Sequence, residues 1–367
     1  MSTTPAKAVT IQDLARLAGV TKSAVSVVLN HRDVGIRVGA EQRAKILALA
    51  KELNYTPRAS ACALSTGRTY HIGFLLSSKI CLGLANTYFA TVLSGVQQAC
   101  QAQGYNCTVS TYDLSTIKNF IMPKKLRQRS VDGVIITGQV EAKVIKLFLA
   151  QQIPVVMVGD TTDFPLHDLL AIASDMVTSW VNAFAHLSQL GHRHLVFPGY
   201  FDNDRRSHDL LTQGIQRFQE LHPASPLKVD IPLLRDTGED MYQRAFAAGL
   251  AWTQASPRTR PTALISHDQW CIGFMAGVQR GGLACPRDLS IISNNTTPLC
   301  RWVSPALTAI DLEPYERGQA ATGLLIDLLE KRLSLAEAHQ RTAASWTPGR
   351  LVERESVGPA PVEASMK

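Results

Sequence analysis

Between Thr21 and Asn30 the chain carries Lys22, Ser23, Ala24, Ser26 and Val27 on a short segment whose apolar residues, Val25, Val28 and Leu29, recur at helical spacing. If Thr21 caps that helix, the first group is left facing outward near its N-terminus. The helix dipole favours a phosphate there, and short polar or methyl-bearing side chains can reach base edges in a major groove. Lys22 and Ser23 can hydrogen-bond. Val27 has neither donor nor acceptor; its methyls could pack on a thymine methyl, or it could face the turn and touch no nucleic acid. Arg32 and Arg37, in the loop HRDVGIRVG, could reach phosphates.

A reading helix needs a partner to hold it. Thr10 is a good N-cap, with Asp13 three residues on, and Ile11, Leu14, Ala15 and Ala18 then repeat at helical spacing before Gly19 stops the run. Val20 plugs the corner. A third amphipathic helix, residues 40–53, closes a small core with Ile46, Leu47, Leu49, Ala50 and Leu53, although Gly39 makes a weak cap. Two helices and a turn could equally be a helical hairpin packed on something larger.

The continuation separates these readings: Asn54-Tyr55-Thr56-Pro57 and then Arg58-Ala59-Ser60-Ala61-Cys62-Ala63-Leu64. Together with Val9-Thr10, Asp13, Ala18-Gly19-Val20-Thr21 and Val28-Leu29-Asn30, this order resembles the lactose-repressor (LacI/GalR) family of bacterial transcription regulators. The resemblance implies that residues 1–57 are a helix-turn-helix DNA-binding domain and that residues 58–69 are a hinge helix and linker. In that family paired hinge helices enter the minor groove, Leu64 standing at the wedge position and Ala61 at the helix contact. A plain linker helix is the alternative. The DNA-facing set is then Thr10, Thr21, Lys22, Ser23, Ser26, Val27, Asn30, Arg32, Arg37, Tyr55, Arg58, Ala61 and Leu64.

Charge agrees with this placement. Residues 1–68 hold ten Lys and Arg against four Asp and Glu, a balance of +6 out of a total of +7, as phosphate contacts or merely a solvated basic face would require. The chain of 367 residues, 46% hydrophobic, is long enough for two or three domains. It has no run of 18 apolar residues and no secretory h-region, so a cytoplasmic protein without membrane contact is expected. Seven scattered cysteines, at 62, 81, 100, 107, 271, 285 and 300, read as buried thiols.

From His71 onward short apolar runs, such as 72–76, 107–111, 132–137 and 154–159, alternate with amphipathic helical patterns. This predicts an α/β fold with parallel sheets covered on both faces. The resemblance persists here, in Asn86-Thr-Tyr-Phe-Ala, Leu190-Gly-His-Arg and the stretch from His267-Asp268-Gln269 to Pro305. It implies a periplasmic-binding-protein-like effector-binding and dimerisation core at 70–356. The N-subdomain takes about 70–171 and 312–340, and the C-subdomain about 172–311 and 341–356, with crossovers near 171, 311 and 340. The Pro- and Ala-rich residues 357–367 are expected to be a disordered tail.

Family repressors commonly hold a sugar with an Arg, an Asn and two carboxylates. This chain has Leu211, His267 and Asn295 at three of those positions, and Gly159 followed by Asp160 at the fourth. An ordinary sugar inducer is therefore in doubt. Tyr88, Phe89, Arg205, His267 and Asn295 could stack on and hydrogen-bond a planar or anionic ligand, or could simply pack a closed cleft. His192 and His194 read as structural. No phosphate loop, nucleophile elbow, zinc helix or dinucleotide fingerprint is present, so neither an enzyme nor a cofactor is expected. The overall expectation is a dimeric repressor of a pseudo-palindromic operator. The alternatives are a transport-type binding protein and a DNA-binding regulator without an effector.

Overall fold

Thr10 starts the first helix by exchanging hydrogen bonds with Asp13. Its hydroxyl accepts the Asp13 amide at 3.3 Å, and the Asp13 carboxyl accepts the Thr10 amide at 3.0 Å. Helix α1 (Ile11–Ala18) ends at Gly19, whose φ of 70° is left-handed and free of strain only for glycine; the Val20 amide then bonds back to the Ala15 carbonyl at 3.0 Å. Thr21 caps α2 (Lys22–Leu29) by accepting the Ala24 amide at 3.2 Å. Helix α3 (Ala40–Glu52) starts at Gly39 with no side-chain cap. Leu14, Ala15, Ala18, Val25, Val28, Ile46 and Ala50 form the small core, with Val20, Leu49, Leu53 and Tyr55 packed around it. Leu47, expected inside, is 42% exposed; Ile46 and Ala50, four apart, define the inward face, and Leu47 falls on its edge.

The structure is a computed structural model that describes residues 9–29, 37–56, 63, 66–80, 82–159, 168–198, 205–232 and 240–361, apart from the side chains of Lys125 and Arg205. The chain divides into two units, Met1–Tyr70 with Arg129–Val131, and His71–Gln128 with Asp132–Lys367. The hinge positions Arg58, Ala61 and Leu64 lie outside the described residues.

The second unit contains two sheets. The first has the order β2-β1-β3-β4-β5 and is parallel throughout: β1 (His71–Ser77), β2 (Asn106–Tyr112), β3 (Gly133–Thr137), β4 (Val155–Val158) and β5 (Ala171–Ile172). Between these strands come α4 (Thr87–Ala102), the short α5 (Lys124–Arg127) and α6 (Ala142–Ala150). The second sheet, in the order β11-β10-β9-β8-β6-β7, comprises β6 (His194–Val196), β7 (Lys228–Asp230), β8 (Ala263–Ser266), β9 (Ser290–Ser293), β10 (Thr308–Asp311) and β11 (Arg350–Val352). Only β11 is antiparallel, against β10. The strands β1, β3, β4, β8 and β9 are buried almost end to end, as sheets covered on both faces require. The helices of this half are α7 (Met176–Gln189), α8 (Arg205–Leu221), α9 (Met241–Gln254), α10 (Asp268–Arg280) and α11 (Leu299–Trp302). Two more, α12 (Pro314–Leu329) and α13 (Leu335–Ala344), return to the first sheet's side, where a β-carbon on Gly95 of α4 would collide with the Tyr315 carbonyl of α12. Among the described residues no helix is long and apolar enough to cross a membrane.

The backbone passes between the sheets three times, at 173–175, 312–313 and 345–349. The third crossing comes after the expected residue 340: α13, started by the Ser334–Glu337 capping box, runs on to Ala344. The crossings touch: Ser174 bridges Thr347, and the Gly349 amide donates to the Ser179 hydroxyl at 2.8 Å.

The tail needs a correction. Its composition suggested disorder from 357 onward, yet residues 357–361 are laid against the second sheet. The Gly358 amide donates to the Ser290 hydroxyl at 3.0 Å and the Ala360 amide to the Leu190 carbonyl at 2.8 Å. Small residues let this strand approach a buried imidazole closely, a constraint that composition does not record. That imidazole is His192, fully buried, with Nδ1 2.9 Å from the Thr262 hydroxyl and Nε2 3.1 Å from the Gly358 carbonyl. Residues 362–367 lie outside the described residues.

Burial, with the nearby charges of His186 and Arg193, holds His192 below its ordinary value against the opposing pull of the Gly358 carbonyl. A depressed histidine favours the native state while neutral, so its contribution is complete above the unfolded value of about 6.5 and is lost as pH falls through the folded value. We therefore expect the unfolding free energy to be level from pH 8 to 7 and to decline below about 6.5, at up to about 1.4 kcal/mol per pH unit for one proton, with the thermal midpoint falling alongside it. His192→Gln should flatten that decline in calorimetry; an unchanged slope would discount this histidine.

Candidate nucleic-acid interface and ligand cleft

The first unit presents a small polar face at the start of α2. Thr21, Lys22 and Ser23 are exposed, Ser26 is half-buried, and Arg37 is exposed beyond the loop. Thr10 also lies at the surface, but its hydroxyl already serves the cap, donating to the Asp13 carboxyl at 2.7 Å. Tyr55 packs half-buried against the core and donates its amide to the Ala50 carbonyl at 2.8 Å. Asn30 and Arg32 lie outside the described residues. The arrangement offers hydroxyls, an ammonium and α2's uncapped N–H groups in one place, the set that phosphate and base edges accept.

Val27 and Ala24 do not belong to that face. The sequence reading turned both outward, but Val27 is 5% exposed and Ala24 8%. Residues 24, 27 and 28 follow one another at i, i+3, i+4, so the buried flank of α2 extends beyond the Val25–Val28 stripe. A valine is too short to climb out of such a flank. Val27→Ala is therefore expected to lower the stability of the full chain by about 1–2 kcal/mol, from two buried methyls at about 0.8 kcal/mol each, and to leave base preference unchanged. Unfolding curves together with selections on randomised half-sites would show it; altered base preference at undiminished stability would return Val27 to the reading face.

The second unit holds a cavity of about 220 Å³ lined by Asn86, Tyr88, Met176, Trp180, Ser207, Leu210, His267, Asp268, Asn294, Asn295 and Leu312. Asn86 caps α4 by accepting the Tyr88 amide at 3.1 Å, which fixes the tyrosine at the opening turn. His267 stands at the N-cap of α10, and burial holds it below its ordinary value against the pull of Asp268. Asn295 accepts the Asp268 amide on Oδ1 at 3.2 Å, leaving Nδ2 as its donor. The Asp268 carboxyl is engaged by the Gln269 amide at 2.8 Å and by the Thr297 hydroxyl.

Of the expected cleft residues, Tyr88, His267 and Asn295 line this cavity. Phe89 packs edge-on against Tyr88, centroids 5.2 Å apart, without lining it. Leu211 requires correction: it is fully buried in the core with Phe184 and Phe218, and its neighbour Leu210 faces the cavity. A leucine at that position gains more from the core than from a polar cleft. Asp160 and the Arg205 side chain lie outside the described residues. Sequence reasoning missed Asn86, Met176, Trp180, Ser207, Leu210, Asp268, Asn294 and Leu312. Trp180 sits in an ordinary amphipathic stripe, and only the close approach of Gly214 to its side chain marks the place.

Two family models match the chain: "Bacterial regulatory proteins, lacI family" over residues 10–58, and "Periplasmic binding protein-like domain" over residues 184–357. The HTH-type transcriptional repressor PurR of Proteus mirabilis is 28% identical, covering 96% of this chain and 98% of its own length. Catabolite control protein A of Staphylococcus xylosus is 27% identical, covering 86% and 91%. Among solved structures, the lac repressor dimer bound to operator and the anti-inducer ONPF superimposes with a TM-score of 0.74 at 22% identity, over 96% of this chain and all of that one. The capped helix-turn-helix, the two sheets crossed three times and the cavity beside His267 are thus the parts of one known architecture, and the chain belongs to the lactose-repressor family of bacterial regulatory proteins.

Proposed function

We infer that this chain is a sequence-specific DNA-binding transcription regulator, a dimeric repressor whose operator affinity answers to a small molecule in the cavity of the second unit. The observation that carries the reading is the exposed Thr21, Lys22 and Ser23 at the start of a helix clamped by Gly19 and the Thr10–Asp13 box. The basic excess over residues 1–68 supplies the attraction to phosphate, and base contacts supply the choice of site. PurR and the lac repressor, a repressor by name and an operator-bound dimer, support it by likeness. A transport-type binding protein would have no use for the basic headpiece.

The effector in this reading is not an anion. Among the described lining residues there is no lysine or arginine, Leu211 has left the cavity, and burial keeps His267 from offering a positive charge near pH 7. What remains is Asn86, Ser207, Asn294, Asn295, a neutral imidazole and the Asp268 carboxylate, already engaged by Gln269 and Thr297, for hydrogen bonding, with Tyr88, Trp180, Met176 and two leucines for contact. A small, flat, neutral molecule bearing both donors and acceptors suits that lining better than a sugar phosphate or a carboxylate. Occupancy would shift the population between two arrangements of the subdomains, and so the pairing of the segments at 58–69, by a coupling of about 1–3 kcal/mol.

Selection of operator fragments from genomic DNA, followed by affinity measurement across salt, tests the reading. The full chain is expected to hold a pseudo-palindromic site and to lose affinity steeply between about 50 and 200 mM salt, as counterion release dictates. A fragment beginning at His71 is expected not to bind. Equal binding by that fragment would refute the assignment of DNA recognition to the first unit.

A further inference from the structure

The second unit contains a buried cation that the cavity does not use. Arg317, on the first turn of α12, is 6% exposed. Its Nε donates to the Leu312 carbonyl at 2.6 Å, and its Nη1 donates to the Ala173 carbonyl at 2.5 Å and, more weakly, to the Ser345 carbonyl at 3.5 Å. These acceptors are far apart in sequence, and each lies on a different one of the three crossings between the sheets. Among the described residues no carboxylate pairs with Arg317, so its charge is met by carbonyl dipoles alone. Burying a guanidinium without a counter-ion is costly unless its donors are well satisfied, so the site is not an incidental surface contact.

We propose that Arg317 is the positioning residue of the hinge: by holding one carbonyl from each crossing in a single planar fork, it sets the angle between the two lobes. Any opening or closing of the cleft turns about the crossings, and the turn changes the distances among these three carbonyls. A planar fork accepts few such sets of distances, whereas a flexible ammonium accepts many. Around it, the Ser174–Thr347 bridge and the Asp175 amide on the Thr347 carbonyl tie the first crossing to the third, the Gly349–Ser179 hydrogen bond ties the third to α7, and Arg317 adds the second crossing. The assignment stands on this geometry and does not depend on which ligand fills the cleft.

The test measures the lobe-to-lobe distance in the full-length protein. Non-cysteine labels placed at the exposed Lys143, on the first lobe, and Arg217, on the second, report it by single-molecule energy transfer, with hydrogen exchange of the β-strands as the control for folding. The wild type is expected to give one narrow distribution. Arg317→Met should broaden or displace it and speed exchange together in all three crossings, the strands staying protected. Arg317→Lys, which keeps the charge but not the fork, should fall between the two and decides the matter if the methionine variant does not fold. A distribution identical to wild type in a folded variant, or faster exchange confined to residues 312–317, would overturn the proposal.

Discussion

Three stretches of backbone leave one sheet for the other at the same place, and the carbonyls they carry into the interior need donors. Nearly everything in the larger unit depends on meeting that requirement. A single crossing could be bent by solvent, but three buried together must satisfy one another or borrow a side chain. The Ser179 hydroxyl donates to the Asp175 carbonyl, the Asp175 amide to the Thr347 carbonyl, and Arg317 to the Ala173 carbonyl. The cavity lies beside the same crossings: Leu312, on the second, is one of its walls, and Met176 follows the first. Geometry at the crossings and geometry in the cavity are therefore one variable.

Much of this was legible in the residues. Thr10, Asp13 and Gly19 mark the ends of α1 by mechanisms local to a few positions, and the apolar runs beginning near 72, 107, 132 and 154 fall on β1, β2, β3 and β4. The short strands β5, β7, β10 and β11 have no counterpart among the apolar runs, because two to four residues carry no period. Orientation on α2 was read less well than its existence. Periodicity identified Val25 and Val28 as inward, but a flank that is apolar at four of five consecutive positions has no sharp edge, and Val27 went to the buried side. Leu211 failed for a related reason. Alignment with the family places it at a ligand-binding position, while the chemistry of leucine sends it into the core. The tail was misjudged because composition reports what a segment could bury, not whether a partner such as His192 waits for its carbonyl.

The two kinds of polar site in the chain work differently. At the start of α2 the groups are exposed hydroxyls and the Lys22 ammonium, within a stretch of net charge +6, so the electrostatic part of their contribution is long-ranged, salt-sensitive and indifferent to exact geometry. In the cavity they are uncharged apart from the Asp268 carboxylate, short-ranged and held by specific partners: Asn86 by the Tyr88 amide, Asn295 by the Asp268 amide. A site of the second kind discriminates by leaving unmatched groups unpaired, which costs more than a missing contact returns. Attraction to DNA and selection of an effector are thus assigned to different parts of the chain. That separation allows one to modulate the other.

Modulation of DNA affinity from the cavity can be measured directly. The direct measurement is operator affinity, at fixed salt, of a full-length chain altered only inside the cavity. Ser207→Phe adds bulk to a space of about 220 Å³ without touching residues 1–68. The expected result is a change in operator affinity of roughly 5- to 150-fold in either direction, the range that a coupling of about 1–3 kcal/mol produces. A folded variant that binds the operator with wild-type affinity would contradict the coupling of cavity to headpiece.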